Sequence, residues 1–522
     1  MDRARRAWCS PWCRSPAGSV GTSTSSMPSR RAPSSRRPGA RASTPRVHRE
    51  PAGGVIPLTD KSPKGAPRAH RDGVVRMSAH RSRPLVGMLL CLALATVSCS
   101  RDGAARSTDE PAPQPREEPI AMTDNQPDPP PPPPQGEAQS VGALSDSGTS
   151  FACDLYREVA ATSDDNLIFS PFSVHMALGM VYAGAAGATR DAMAGTLHVP
   201  SDGPLYESYE ALTAELPLQD PGYEPPEGEE GRPALLVANG VWAQDDFSFR
   251  QEYLDLVQGA YDAELRTADF EADPEAAAED INGWVSDKTQ EKISQIADPQ
   301  AFNQIVMVLV NAIYFKGAWA DQFSEAGTED APFHLATGDT VDVPTMQGRM
   351  DGLYAEGDGW TAIALPYERW DLRMIIVLPD DELGAMEPMV TGENVAAVLE
   401  ELESRELRVW LPKFKFETTL PLTDTLKAMG MDIAFDPSRA DLTGIAEQGG
   451  LFISSVLHKA MIDVNEHGTE AAAATMISVG ATAAEPEPPA EVRVDRPFLF
   501  MIHDRETDSV LFMGRVMDPR EG

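Results

Sequence analysis

The runs Ile305–Val310, IVMVLV, and Met374–Leu378, MIIVL, are apolar at every position, with no polar residue in alternation. A strand with one face in water alternates, so strands like these must be covered on both faces. They call for a large sheet packed between other elements. Further strand-like runs follow at Leu407–Leu411, Phe498–Ile502 and Val510–Val516, whereas helices dominate the earlier part. The segment ADPEAAAEDINGWVSDKTQEKISQI predicts a helix capped by Asp273, with Pro274 at its first position and Ile281, Trp284, Val285 and Ile293 on roughly one face. A helix-covered sheet with a second group of strands late in the chain is an α+β plan. Apolar periodicity is continuous from Phe151 onward, which predicts one large domain over residues 151–520. Pro217 to Pro233, PLQDPGYEPPEGEEGRP, reads as an exposed acidic loop within it.

The residues before Phe151 have other characters. Residues 1–76 hold 16 Lys plus Arg against 4 Asp plus Glu and almost no apolar pattern, so they cannot bury a core. From Met77, MSAHRSRPLVGMLLCLALATVSCS has a basic start at Arg81 and Arg83, an apolar run Leu85–Val97 and a small residue before Cys99. This is the layout of a secretory signal over residues 77–98, and the run is too short for a spanning helix of about 20 residues. Thr96-Val97-Ser98-Cys99 is similar to a bacterial lipoprotein cleavage box, although Thr96 stands where that box prefers Leu. The expectation is therefore translation from Met77, with residues 1–76 a misread upstream segment, and an exported lipoprotein held by a lipid on Cys99 at the outer membrane or cell surface. A long basic leader in use is the alternative. Residues 99–150, with six consecutive prolines at Pro129–Pro134, read as a Pro-rich disordered tether.

Charge and cysteine content narrow the function classes. Residues 1–76 contribute +12 and residues 77–98 +2, so a chain starting at Cys99 carries −50 where the whole carries −36. Binding nucleic acid needs a basic face, which argues against that partner. Of five cysteines only Cys99 and Cys153 survive such processing, and acylation of Cys99 leaves no internal disulfide. The processed chain has no Gly-x-Ser-x-Gly elbow, His-Glu-x-x-His helix or Cys-x-x-Cys pair. His458 and His467, nine residues apart, fit no common metal spacing. The expectation is a non-enzyme without cofactor or metal; an unrelated hydrolase lipoprotein is the reading that a nucleophile motif would have favoured.

Dispersed motifs then carry a specific resemblance. Asn166–Thr189, NLIFSPFSVHMALGMVYAGAAGAT; Val308–Trp319, VLVNAIYFKGAW; Leu411–Phe435, LPKFKFETTLPLTDTLKAMGMDIAF; and Asp495–Pro519, DRPFLFMIHDRETDSVLFMGRVMDP, resemble the serpin family over about Phe151 to Pro519. The resemblance implies three β-sheets, eight or nine helices and an exposed reactive loop, placed here at Asn465–Gly480, NEHGTEAAAATMISVG. It implies a protease inhibitor whose loop, once cut, enters the large sheet as a new strand while the protease is still attached as an acyl-enzyme. The hinge falls on Glu466, Gly468, Thr469, Glu470, Ala471, Ala472, Ala473, Ala474 and Thr475. Ser170, Ser173, Asn311 and His458 match the polar cluster where the sheet parts, and Trp319 the tryptophan where insertion begins. For Trp319 alone plain core packing is an equal reading.

The loop residues themselves permit insertion. An inserted strand needs a backbone N–H at each ladder position, and no proline stands between Asn465 and Glu485. Every second residue from Thr469, through Ala471, Ala473, Thr475, Ile477, Val479 and Ala481, can be buried, while Glu470 lies on the opposite face. Fifteen residues, Gly468–Thr482, span roughly 50 Å when extended. A dozen or so new hydrogen bonds release on the order of 10 kcal/mol. EAAAAT in isolation is a helix former; its neighbours Ile477 and Val479 and its place between two strands decide otherwise.

Counting fifteen residues from Gly468, the family spacing, puts the reactive bond between Thr482 and Ala483. The following segment AAEPEPPAEVRVDRPF is a few residues longer than is common in the family, so the cut can shift along Val479–Ala484. All candidates are small or aliphatic, implying an elastase-like or subtilisin-like serine endopeptidase as partner of a monomer, and Glu485 and Glu487 favour one with a basic rim. The alternative is a non-inhibitory serpin acting as a binding protein; the bulky or charged hinge residues that would favour it are missing.

Overall fold

The computed structural model describes residues 138–218, 233–261, 263–302, 305–368, 371–469 and 488–521. The first helix, α1 (Val141–Ala160), starts inside the stretch read as tether, so the folded domain begins before Phe151. Ser140 caps it by accepting from Ala143 N at 3.2 Å, and Leu144, Phe151, Leu155 and Val159 bury one face. Its early turns look like linker because they are rich in small polar residues. The hydroxyls of Ser145 and Ser147 reach the carbonyls of Val141 and Ala143 one turn back, and also Ser509 Oγ and the His198 carbonyl, both at 2.9 Å, so they are satisfied partly by the helix and partly by its neighbours.

The other helices are α2 (Pro171–Gly184), α3 (Gly187–Thr196), α4 (Tyr206–Glu215), α5 (Gln251–Tyr261), α6 (Pro274–Lys288), α7 (Leu383–Met386), α8 (Gly392–Glu401) and α9 (Thr423–Leu426). Helix α2 is buried nearly all round, as an apolar helix without a polar face must be. In α6 Asp273 caps as expected, accepting from Ala276 N at 3.1 Å, and Ile281, Trp284 and Val285 are buried. Ile293 is buried too, but beyond the helix, because Gln290 and Glu291 at φ 53° and 61° break it first.

One sheet has six strands: β2 (Ala234–Gln244), β3 (Glu264–Ala268), β4 (Met307–Ala318), β10 (Phe414–Pro421), β11 (Ser455–Asn465) and β12 (Gly468–Thr469). Their order is β10-β11-β12-β4-β2-β3, and β11 also pairs β4 directly. The rest are β1 (Leu167–Phe169), β5 (Glu329–His334), β6 (Thr340–Gly357), β7 (Trp360–Pro366), β8 (Leu372–Pro379), β9 (Glu403–Pro412), β13 (Ala490–Arg493), β14 (Phe498–Asp504) and β15 (Ser509–Val516). They run β1-β15-β14-β8-β7-β6-β9-β13, with β5 on β6. Strand β6 pairs β5 and β9 along Thr340–Tyr354 and β7 along Leu353–Gly357, so two sheet regions share one long strand and the described residues form three regions.

The unalternating run in β4 now has its reason. Met307, Leu309 and Ile313 enter the main core, whereas Val308, Val310 and Ala312 join a second cluster with Trp242, Ile281, Trp284 and Leu457 beneath α6. Both faces are dry, so neither can carry alternating polar residues. Cys153, on α1, is a free and buried thiol, and burial pushes it up to about 12.

Candidate functional site

At the top of the six-stranded sheet the chain leaves β11, turns at Glu466 and His467, and re-enters as β12 between β11 and β4. Gly468 pairs with Asn465 on one side and Ala318 on the other, and Thr469 with Val464 and Gly317. The turn demands glycine. Gly468 has φ +148°, and a Cβ there would lie 2.1 Å from the Gly317 carbonyl oxygen.

Trp319 fixes the same corner. Its indole N–H donates to the Asn465 carbonyl at 3.0 Å and its backbone N–H to the His467 carbonyl at 2.9 Å. Its ring stacks on Tyr367, centroids 4.6 Å and planes 10° apart, and the Tyr367 hydroxyl lies 2.7 Å from Thr469 Oγ1. Glu466 is tied down at the same corner. Its carboxylate, 7% exposed, accepts from Lys413 Nζ at 2.7 Å and Thr328 Oγ1 at 2.8 Å. Burial pushes this carboxyl up, but the Lys413 ammonium and the Thr328 hydroxyl outweigh it and hold it below the ordinary value.

Below this corner β11 and β4 pair directly and in parallel from Ser455–Val308 to Ala460–Ile313, with His458 opposite Asn311. Four expected residues meet here. Ser170 caps α2 by accepting from Ser173 N at 3.1 Å, donates to the Leu511 carbonyl at 2.7 Å, and gives its own N–H to His458 Nε2 at 3.0 Å. Since Nε2 accepts, Nδ1 carries the proton and donates to Asn311 Oδ1. Asn311 Nδ2 in turn donates to Ser173 Oγ and to Asn239 Oδ1. Burial pulls His458 down to about 3, with the Asn311 bond opposing, so the ring is neutral. The network joins α2, β2, β4 and β11 through side chains, helped by the Ser170 backbone N–H.

Sequence reading missed Asn239, Tyr367 and Lys413. Asn239 left a signal, as the lone amide in the apolar run ALLVANGVWA. Nothing in the sequence links Tyr367 to Thr469 or Lys413 to Glu466, because those pairs are made by the fold. Glu470, Ala471, Ala472, Ala473, Ala474, Thr475, Thr482, Ala483 and Cys99, with most of Pro217–Pro233, lie outside the described residues. Among the described residues no group of three or more His, Cys, Asp or Glu could hold a metal, and no helix is long and apolar enough to cross a membrane.

Residues 146–519 match the family profile described as serpin (serine protease inhibitor). An uncharacterised serpin-like protein of Thermococcus kodakarensis is 38% identical over 378 residues, covering 72% of this chain and 85% of the relative. The leukocyte elastase inhibitor of Xenopus laevis is 35% identical over 386 residues, covering 72% and 99%. Among solved structures, the thermophilic serpin tengpin in its native state superposes with a TM-score of 0.63 at 28% identity, over 72% of this chain and 94% of that one.

Proposed function

The chain belongs to the serpin family, and from that premise we propose that it traps a serine-type endopeptidase as a suicide substrate. The observation that carries this reading is the two-residue β12. Gly468–Thr469 sits between β11 and β4 at the top of the sheet, while the six pairs below, from Ser455–Val308 to Ala460–Ile313, are closed.

The register of β12 extends in a definite way. Continuing antiparallel from Thr469, each pair of the closed seam receives one loop residue, from Ala473 opposite Ala460 and Ile313 to Ser478 opposite Ser455 and Val308. Thr475 then falls between His458 and Asn311, so insertion must break their hydrogen bond. On the inner face Val464, Ile462, Ala460, His458 and Val456 are buried, which matches the set Thr469, Ala471, Ala473, Thr475 and Ile477. Replacing direct pairing by an inserted strand gives both neighbours a new ladder, the thermodynamic drive for a one-way change.

In this mechanism the protease serine attacks the Thr482 carbonyl, the amine of Ala483 leaves, and the freed loop enters the seam with the acyl-enzyme attached. The target takes a small or aliphatic residue before the cut. The inhibitor acts as a monomer outside the cytoplasm, held by a lipid on Cys99. Incubation with elastase-like, subtilisin-like and trypsin-like proteases tests it on a denaturing gel. A covalent complex with the first two is expected; clean cleavage without complex points to a non-inhibitory binding protein, and intrinsic hydrolysis to an enzyme.

A further inference from the structure

The turn that joins β11 to β12 carries a titratable ring that the trapping mechanism leaves unused. His467 stands at its centre, its backbone N–H donating to Asn465 Oδ1 at 3.0 Å and its carbonyl accepting from Trp319 N at 2.9 Å. The ring meets two oxygens of the segment that follows β4: Nε2 lies 3.1 Å from Glu325 Oε1 and Nδ1 3.4 Å from Gln322 Oε1. The same segment holds the turn by its backbone, since Phe323 N donates to the Glu466 carbonyl at 3.0 Å. The ring therefore helps to fasten the start of β12 to the end of β4.

Its charge sets how firmly. A neutral imidazole has one N–H, so one of the two oxygens is left without a donor unless Gln322 turns its amide over. The imidazolium donates to both, and its bond to a carboxylate is charge-assisted, roughly twice as strong as a neutral one. Other charged groups at this corner are already engaged: Glu466 with Lys413, Asp463 with Lys415, and Asp321 with the Asp351 N–H at 3.2 Å. Among the described residues Glu325 is the carboxylate within ion-pair reach of the ring. The two side chains are 25% and 74% exposed, so solvent screens the pair and its effect is a few-fold one.

We infer that His467 is a proton-sensitive tie on the hinge: the protonated ring bridges Glu325 and Gln322 and holds Gly468–Thr469 between β11 and β4, and the neutral ring releases them more readily. The ion pair exists only while the ring is charged. It is present in acid and lost as pH rises through about 5 to 8, the range in which histidine changes charge. Residues Gly468–Thr469 are the seed from which the rest of the loop fills the seam, and insertion competes with water attacking the acyl carbonyl, which frees the protease serine and leaves a carboxylate on Thr482. A seed held in place raises the trapped share in acid. That consequence rests on the inhibitor reading; the tie itself does not.

Two measurements on the full chain test it, the first without protease. Hydrogen exchange read by mass spectrometry over residues 463–469, corrected for the intrinsic pH dependence of exchange, should give protection about two- to fivefold higher at pH 5.5 than at pH 8, the range an exposed pair supplies. His467→Gln should abolish that difference, and Glu325→Gln should keep at most half of it. Equal protection at both pH values in the wild type, the same pH dependence in His467→Gln, or its full retention in Glu325→Gln overturns the tie. The second measurement is the ratio of covalent complex to cleaved chain with subtilisin, taken at each pH relative to His467→Gln so that the protease's own pH dependence cancels. That relative ratio should be about two- to fivefold higher at pH 5.5 than at pH 8. A hinge that responds to pH in a chain that traps no protease ends the inhibitor reading and leaves the tie standing; a chain that traps protease with a hinge indifferent to pH ends the tie alone.

Discussion

The Tyr367 hydroxyl lies 2.7 Å from Thr469 Oγ1, inside the sheet and beneath the stacked ring of Trp319. Thr469 is thus already a strand residue, flanked by Val464 and Gly317 and only 2% exposed. On the proposed register each inserted residue takes a place further down the seam, continuous with Thr469.

Replacing Thr469 by Arg puts a guanidinium where the nearest polar group is a phenol. Burying an unpaired charge costs several kcal/mol, enough to stall insertion after cleavage. Thr469→Arg should therefore turn an inhibitor into a substrate, with the covalent complex lost and cleaved chain accumulating on a denaturing gel. A variant that still trapped protease would show that the hinge lies elsewhere.

Glu466 and Lys413 form the second test. The carboxylate is nearly buried, whereas the Lys413 side chain is 39% exposed, so solvent takes back part of what the pair contributes. Lys413→Met leaves Glu466 with Thr328 alone and should cost roughly 1–3 kcal/mol. Glu466→Gln in the same chain should recover part of that loss, since the stranded charge is gone. Urea midpoints of the wild type, both singles and the double variant check it. Purely additive losses would mean that the pair is not coupled.

What the sequence revealed and what it hid follow from the range of the interactions. Strands β4 and β8 were legible because apolar runs report burial directly, and α6 because Asp273 and Pro274 are local signals. Gly468, Thr469, Ser170, Ser173, Asn311, His458 and Trp319 were legible only through resemblance to a family. The structure then brings them together in two clusters. Helix α1 was cut short because Ser140, Ser145 and Ser147 look like linker until their hydrogen bonds are seen. Lys413–Glu466 and Tyr367–Thr469 join residues far apart in sequence, and no local pattern encodes such a pair.

Export by way of Cys99 is separately testable. If Cys99 carries the lipid, the expressed protein should partition into detergent and label with a palmitate analogue, and Cys99→Ser should release it to the aqueous phase. One acyl chain holds a protein only marginally, so stable retention implies more than one. Equal partitioning of wild type and Cys99→Ser would remove the anchor. A peptide from residues 1–76 in the unprocessed chain would remove the start at Met77.

Acid should loosen the seam, and the tautomers say why. His458 accepts from Ser170 N at Nε2, and His175 donates from Nε2 to the Leu197 carbonyl at 2.9 Å while Nδ1 accepts from the Tyr209 hydroxyl. Each neutral ring already uses both nitrogens, so a second proton would land on an acceptor site and break a bond. Burial accordingly pulls His458 down to about 3 and His175 to about 4 from 6.5, against opposing bonds from Asn311 and Leu197. Both shifts are depressions, so below pH 6.5 the unfolded chain binds protons that the native state refuses. Stability is full above that pH and falls as pH drops toward 4, at up to about 1.4 kcal/mol per pH unit for each histidine. Urea midpoints at pH 7.5, 6 and 5, above the range where most carboxylates titrate, should fall at each step. His458→Gln should lower stability overall yet flatten the slope by about one proton, and a midpoint unchanged from pH 7.5 to 5 would contradict the buried neutral assignment of both rings.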